Sequence, residues 1–188
     1  MKLSGSYQIN LEKQKVWEAL NNPEILKKSI PGCEEFKKNS ENEFSATATN
    51  KIGPFNATFT GDIELKDLNP PNSYKISGSG NSPVGFANGE ASVTLEDFEG
   101  GTKLSYTVEA NVGGKIAQVG SRLIDMTAKK MADIFFGKFS ELISVKTANN
   151  KIEEKEKNKI PAKKKPMNKI ILILSAVIIV GIIMYYIS

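Results

Sequence analysis

The 188-residue chain has no histidine and a single cysteine, Cys33. That inventory excludes cysteine-rich zinc sites, disulfides, histidine-dependent catalytic triads and histidine metal sites. A lone thiol fits a reducing compartment, and Cys33 reads as a small core or strand-end residue rather than a redox centre. Residues 1–10, MKLSGSYQIN, lack the apolar run of a secretory signal. A basic surface is also missing where nucleic acid would need one. The net charge is +4 and the pI about 9.0, but nine lysines and three glutamates between residues 145 and 169 hold +6 of it, leaving −2 on residues 1–144. Nucleic acid is therefore not an expected partner.

What the chain does have is 40% hydrophobic residues, enough for one domain of ordinary size with appendages. The segment that organises it is residues 115–143, after Gly113-Gly114. Ile124, Ala128, Met131, Phe135, Phe139 and Leu142 recur at steps of three and four and predict one face of a helix. A second row, Ile116, Val119, Leu123 and Thr127, then Ile134, widens that face. Arg122, Asp125, Lys129, Lys130, Asp133 and Lys138 fall opposite, toward solvent. Such a helix needs a large apolar partner, and only the β-rich chain before it can supply one.

In chain order, Leu3, Gly5, Tyr7 and Ile9 alternate with polar residues as in a half-buried strand. Residues 10–20 shift to helical spacing, and Asn22-Pro23 is an N-cap and first-turn pair for a second helix over residues 23–29. Antiparallel strands are predicted over residues 33–38, 43–51, 55–68, 73–79, 89–98 and 102–112, the third long enough to need a bend or bulge. Residues 80–88 read as a Gly- and Ser-rich loop, and Glu99-Gly100-Gly101 as a hairpin turn. Strand, two helices, six strands and a long helix predict an α+β fold in which a strongly bent antiparallel sheet covers the long C-terminal helix.

Many residues on the predicted inner faces are small: Ala46, Ala48, Ala57, Gly61, Gly78, Gly80, Ala91 and Ala110. They cannot fill a gap of roughly 10 Å between sheet and helix. Glycine permits the coiling of a bent sheet and alanine tolerates close approach; alternatively, small residues leave an apolar cavity for a lipophilic guest. The two readings are compatible.

After the helix, residues 145–169 turn to Lys, Glu, Asn and Pro and read as a basic flexible linker. Residues 170–187, IILILSAVIIVGIIMYYI, are uncharged, and as a helix would extend about 27 Å, close to the ~30 Å hydrocarbon core. A transmembrane tail anchor is expected there, with Tyr185 and Tyr186 at the far interface and Lys163, Lys164, Lys165 and Lys169 keeping the folded domain cytoplasmic at the cell membrane.

The Val16-Trp17 helix, Ile30-Pro31-Gly32-Cys33, the break at Lys51-Ile52-Gly53-Pro54-Phe55, Gly113-Gly114-Lys115-Ile116-Ala117-Gln118 and the Phe135-Phe136 pair together resemble the carbon monoxide dehydrogenase G-subunit family, within the START-like (SRPBCC) helix-grip superfamily. The resemblance spans roughly residues 1–143. It implies a seven-stranded sheet gripping a C-terminal helix around a hydrophobic tunnel, and an accessory role for molybdenum hydroxylases. It does not imply catalysis. No molybdopterin, flavin or iron–sulfur motif is present, no metal or cofactor is expected, and the predicted interior holds only Tyr106 as a titratable group. The expected function is a membrane-anchored accessory protein that binds a quinone or another lipid and delivers it to a cytoplasmic carbon monoxide dehydrogenase-type enzyme, or tethers that enzyme. The alternative is a ligand-free adaptor recruiting the enzyme to the membrane. Expected cavity walls are Phe55, Phe59, Phe86 and Tyr106 from the sheet and Ile116, Val119, Leu123 and Thr127 from the helix, with the 80–88 loop as gate and Tyr106 and Thr127 as hydrogen-bond donors to a carbonyl.

Overall fold

Alternation in the first strand gives β1 (Lys2–Ile9), half-buried on one face and ending at Ile9, which is fully covered. Two short helices follow, α1 (Lys13–Leu20) and α2 (Pro23–Ser29). The second starts as its sequence predicts: Asn22 Oδ1 accepts from the amides of Glu24 (3.0 Å) and Ile25 (3.2 Å), with Pro23 in the first turn. The strands β2 (Cys33–Lys38), β3 (Glu43–Ile52), β4 (Phe55–Asn69), β5 (Ser73–Ser82), β6 (Gly85–Phe98) and β7 (Gly101–Gly113) come next, then a single 3-10 turn (Lys115–Val119) and α3 (Ser121–Lys157). This computed structural model describes residues 1–157, with side chains through residue 145. Met1–Asn150 forms one compact unit. The expected membrane span at 170–187 lies outside the described residues, as do residues 158–169 of the expected linker, while residues 145–157 of it continue α3. Among the described residues, no helix is long and apolar enough to cross a membrane.

All seven strands join one antiparallel sheet in the order β1-β7-β6-β5-β4-β3-β2. Long β4 carries the expected irregularity, a register shift between Lys66 and Asn69 with Asp67 at φ 49°.

Two expectations are corrected. Residues 80–88 are not a loop: β5 and β6 continue through them and pair from Gly80↔Ala87 to Ser82↔Gly85, leaving a tight turn at Pro83-Val84. Its opening is restricted by the bond from the Ile116 amide to the Val84 carbonyl, 2.9 Å. The long helix is also not continuous from residue 115. Gly120 has φ +88°, a left-handed backbone that no α-helix contains, and the five residues before it close 3-10 bonds instead. Beyond Ile143 the helix persists to Lys157.

The interior is unevenly filled. Phe136, Phe139 and Ile143 of α3 pack with Trp17 and Leu20 of α1, Ile25 of α2, and Phe44, Leu65, Tyr74, Val93, Leu95 and Leu104 of the sheet into one cluster. Phe139 has no exposed surface. We call this end the base. The expected helix face is largely right, but Ile134 points outward at 36% exposure, and Phe136 and Ile143 complete the buried stripe.

Candidate functional site

Reading the register across the sheet places the small residues. At the base end, one rung joins Val108, Ala91, Ile76 and Leu65. The next joins Ala110, Gly89, Gly78, Ile63 and Phe44, and the one beyond it Val112, Ala87, Gly80, Gly61 and Ala46. Across the middle strands these two rungs offer almost no side-chain volume.

The glycines divide by cause. A Cβ on Gly61 would collide with the Ser79 carbonyl, and one on Gly89 with the Glu109 carbonyl, so these two permit the close approach of a coiled sheet. Gly78 and Gly80 differ. A Cβ on Gly78 would meet only Asp62 O at 3.7 Å, and one on Gly80 the Phe59 side chain at 3.8 Å, both ordinary contacts. Curvature and vacancy are therefore both present, at different residues.

Over these rungs lies an apolar cavity of about 250 Å³, bounded by Ala48, Asn50, Ile52, Phe59, Ala87 and Val112 of the sheet and by Ile116, Ile124, Thr127, Ala128 and Met131 from the 3-10 turn and α3. A second cavity, about 220 Å³, reaches the base between Leu20, Leu26 and Ile30, the sheet, and Phe135 and Phe136. Between them a space of about 320 Å³ shares Ala87 with the first and Ile63 and Ile76 with the second. It also touches outward residues Asp62, Ser79, Asn88 and Glu90, because at Gly78 and Gly89 the sheet is only a backbone thick. A polar depression of about 630 Å³ on the outer side, with Glu43, Asp62, Glu64 and Glu90, meets it at the same glycines. The apolar tract thus runs from the 3-10 turn to the two short helices.

Of the expected wall residues, Phe59, Ile116 and Thr127 line the first cavity. Val119 and Leu123 instead cap its end by packing on the β3–β4 turn, 3.3 and 3.1 Å from where a Gly53 Cβ would stand. Phe55 pairs with Ile52 across that turn without lining the cavity. Phe86 is directed to the outer face, 39% exposed, its ring lying over Gly113; the continuous strand pairing of 80–88 sets that parity. Tyr106 belongs to the base: its ring stacks with Tyr7 (centroids 6.2 Å apart) and Phe136 (5.6 Å), and Gly5 leaves room for it. Ala87 and Asn50 were not expected. The first was hidden by the loop reading, whereas the second was legible, since it alternates with Ala48 and Ile52 on the inner face of β3.

Asn50 and Thr127 are the polar side chains among the cavity's lining residues. Asn50 Nδ2 donates to the Pro31 carbonyl at 3.0 Å, which ties the Ile30-Pro31-Gly32 turn to the wall and leaves a second amide proton and Oδ1. Thr127 Oγ1 donates back to Leu123 O at 2.8 Å, so toward a guest it offers a lone pair rather than the expected proton.

Few titratable groups are shifted. Burial raises the Tyr74 phenol, and burial followed by its hydrogen bond to Asp133 raises that of Tyr7. Burial also pushes the Cys33 thiol up, which disfavours the reactive thiolate, and its Sγ donates to Glu35 O at 3.3 Å. Asp125 departs from its solvent-facing expectation: Oδ1 is buried and has no hydrogen-bond partner among the described residues. Asp133 is exposed, as expected, but accepts the Tyr7 hydroxyl.

Comparison with known proteins agrees with this architecture. The sequence profile for the G subunit of carbon monoxide dehydrogenase (CoxG) matches residues 5–144. A crystal structure of a conserved protein from Geobacillus kaustophilus is 32% identical, with a TM-score of 0.73 over 77% of this chain and 95% of that one. Two others share the fold alone: a protein from Thermus thermophilus, at 12% identity and TM-score 0.59 over 77% and 98% of the two chains, and Ms6760 from Mycobacterium smegmatis, at 15% and 0.59 over 77% and 92%. No curated protein gives a significant match. The helix-grip architecture and the matched profile, which covers nearly the whole described domain, place this chain in the family of carbon monoxide dehydrogenase G subunits (CoxG).

Proposed function

We propose that the domain is a carrier. It takes a lipophilic molecule with a polar head, such as a quinone or another lipid, into the cavity against α3 and presents it to a carbon monoxide dehydrogenase-type molybdenum hydroxylase. The observation that carries this reading is the apolar tract itself, about 250 Å³ at one end and 220 Å³ at the other with hollow space between. Small-molecule sites span roughly 300–1,000 Å³ with a few placed polar groups. Asn50 supplies such a group: its free amide proton suits a ring carbonyl, and an apolar tail fits along Ile63, Ile76 and Val108. Burying a tail gains about 25 cal/mol per Å² of apolar surface, and one polar contact orients the head. No step of chemistry on the guest is required of this chain.

The test is to purify the protein from native membranes and identify co-purified lipophiles by mass spectrometry, beside an Ala128→Trp variant that occupies the cavity from α3. Near-stoichiometric guest in the parent and little in the folded variant supports the carrier. An empty parent, or undiminished enzyme recruitment and turnover with Ala128→Trp, favours the ligand-free adaptor.

A further inference from the structure

The two edge strands of the sheet are unlike. β2 is blunted: its register breaks between Cys33 and Glu35, and Glu34, Glu35, Lys37 and Lys38 crowd charge onto six residues. β1 has no such protection. It pairs with β7 without a shift from Lys2 to Ile9, contains no proline, and its one charge, Lys2, is held by Glu109 at 2.7 Å. Met1 and Ala110 exchange backbone bonds. By antiparallel alternation Leu3, Gly5, Tyr7 and Ile9 then bond to β7, while Lys2, Ser4, Ser6 and Gln8 turn N–H and C=O away from the sheet. These four residues are exposed, and their outward groups have no backbone partner among the described residues.

The strand is also symmetric by residue type about Gly5: Ser4 and Ser6 flank it, then Leu3 and Tyr7, then Lys2 and Gln8. If a second copy lies antiparallel to it with the two-fold axis at Gly5, outward groups meet outward groups. Ser4 exchanges bonds with Ser6 of the second copy, and Lys2 with Gln8. The same register sets Leu3 opposite Tyr7 in the closer, non-bonded pairs on the inner face, where both side chains are only partly buried in one copy. No like charges are opposed. We infer that β1 is a self-association edge, through which two copies of this chain join, antiparallel about Gly5, into one continuous sheet. An extended segment of another protein would use the free backbone groups, but it has no need of matched residue types on either side of Gly5. Because the axis is perpendicular to the sheet, both α3 helices, and the cavities beneath them, fall on the same side of the joined sheet. The inference is independent of the carrier reading.

The experiment uses the full-length chain in detergent micelles. Sedimentation gives the stoichiometry, and a spin label at Gln8→Cys, in a Cys33→Ser background, reports the distance between copies. The expected result is a dimer with labels about 20 Å apart, because position 8 of one copy stands opposite position 2 of the other and the six intervening steps rise ~3.4 Å each. Ser4→Lys with Ser6→Lys sets lysine against lysine in both cross-strand pairs, whereas Ser4→Lys with Ser6→Glu sets lysine against glutamate. The first dimer should be roughly tenfold weaker than the second, with unchanged far-ultraviolet circular dichroism, since both sites are exposed and bond outward. A monomer at every concentration tested, a dimer indifferent to these changes, or a label separation well beyond 20 Å, as association elsewhere in the chain would give, overturns the inference. So does a chain that is monomeric alone and whose Ser4 and Ser6 amides gain protection from hydrogen exchange only when a carbon monoxide dehydrogenase-type enzyme is added, because the edge then serves a segment of that enzyme.

Discussion

Gly80 and Gly61 are partners across β5 and β4, yet alanine at the two positions should act in opposite directions. At Gly80 a Cβ enters space and touches the Phe59 side chain at 3.8 Å. Glycine within a strand costs about 0.5–1 kcal/mol relative to alanine, and burying one methyl gains about 0.8 kcal/mol. Gly80→Ala should therefore stabilise the fold by about 1–2 kcal/mol, raising Tm by roughly 3–6 °C for a domain of this size. At Gly61 the same carbon overlaps the Ser79 carbonyl and the Gly80 backbone. The strands must part, and overpacking of this kind costs about 1–3 kcal/mol. Urea titration of both variants in the same buffer, with guest removed, reads the difference directly from the midpoints. Equal destabilisation would mean that Gly80 serves curvature as Gly61 does. The account of the cavity as a consequence of missing side chains would then fail.

Tyr74, 6% exposed and held above the ordinary phenol range by burial, gives the fold an alkaline limit. The unfolded chain releases this proton near the ordinary value of 10.0, while the folded chain retains it. The stabilisation is thus intact below that pH and lost as pH rises past it, by about 1.4 kcal/mol per unit. The denaturation midpoint of Tyr74→Phe should fall less steeply than the parent's above pH 10, and identical slopes would refute the assignment. At Asp125, whose Oδ1 is buried without a partner, Asp125→Ala should raise stability by about 1 kcal/mol by removing that orphaned acceptor and adding a better helix former. A drop in urea midpoint would reveal a partner for the carboxylate.

Much of this architecture was legible in the residues. Asn22-Pro23 marked the start of α2 to the residue because capping chemistry is local, and alternation marked β1 and β7 because one face of each is turned to the interior. The errors have a common source in glycine. Gly80 and Gly85, with Ser82, made residues 80–88 look like a loop, although hydrogen bonding to β4 and β7 holds them in the sheet despite their low strand propensity. Gly120 lay within a strong helical period, and a single left-handed φ interrupts a helix without disturbing the spacing of apolar residues. The site was less legible than the fold because it depends on parity. Phe86 and Ala87 are adjacent in the chain and face opposite sides of the sheet, so reading the segment as a loop selected the wrong neighbour. Tyr106 had the right parity but sits too near the base, a distance along the strand that alternation does not report.

Helix α3 is buttress along one stretch and ceiling along another. Where Phe139 and Ile143 are wedged among the short helices and the sheet, a lost side chain is felt by the whole domain; where Ala128 and Met131 overhang the hollow, bulk can be added or trimmed with little structural consequence. The dimensions of the chamber can therefore be retuned by exchanges at a handful of overhanging positions while the buttress stays untouched, so one scaffold can be fitted to guests of different girth.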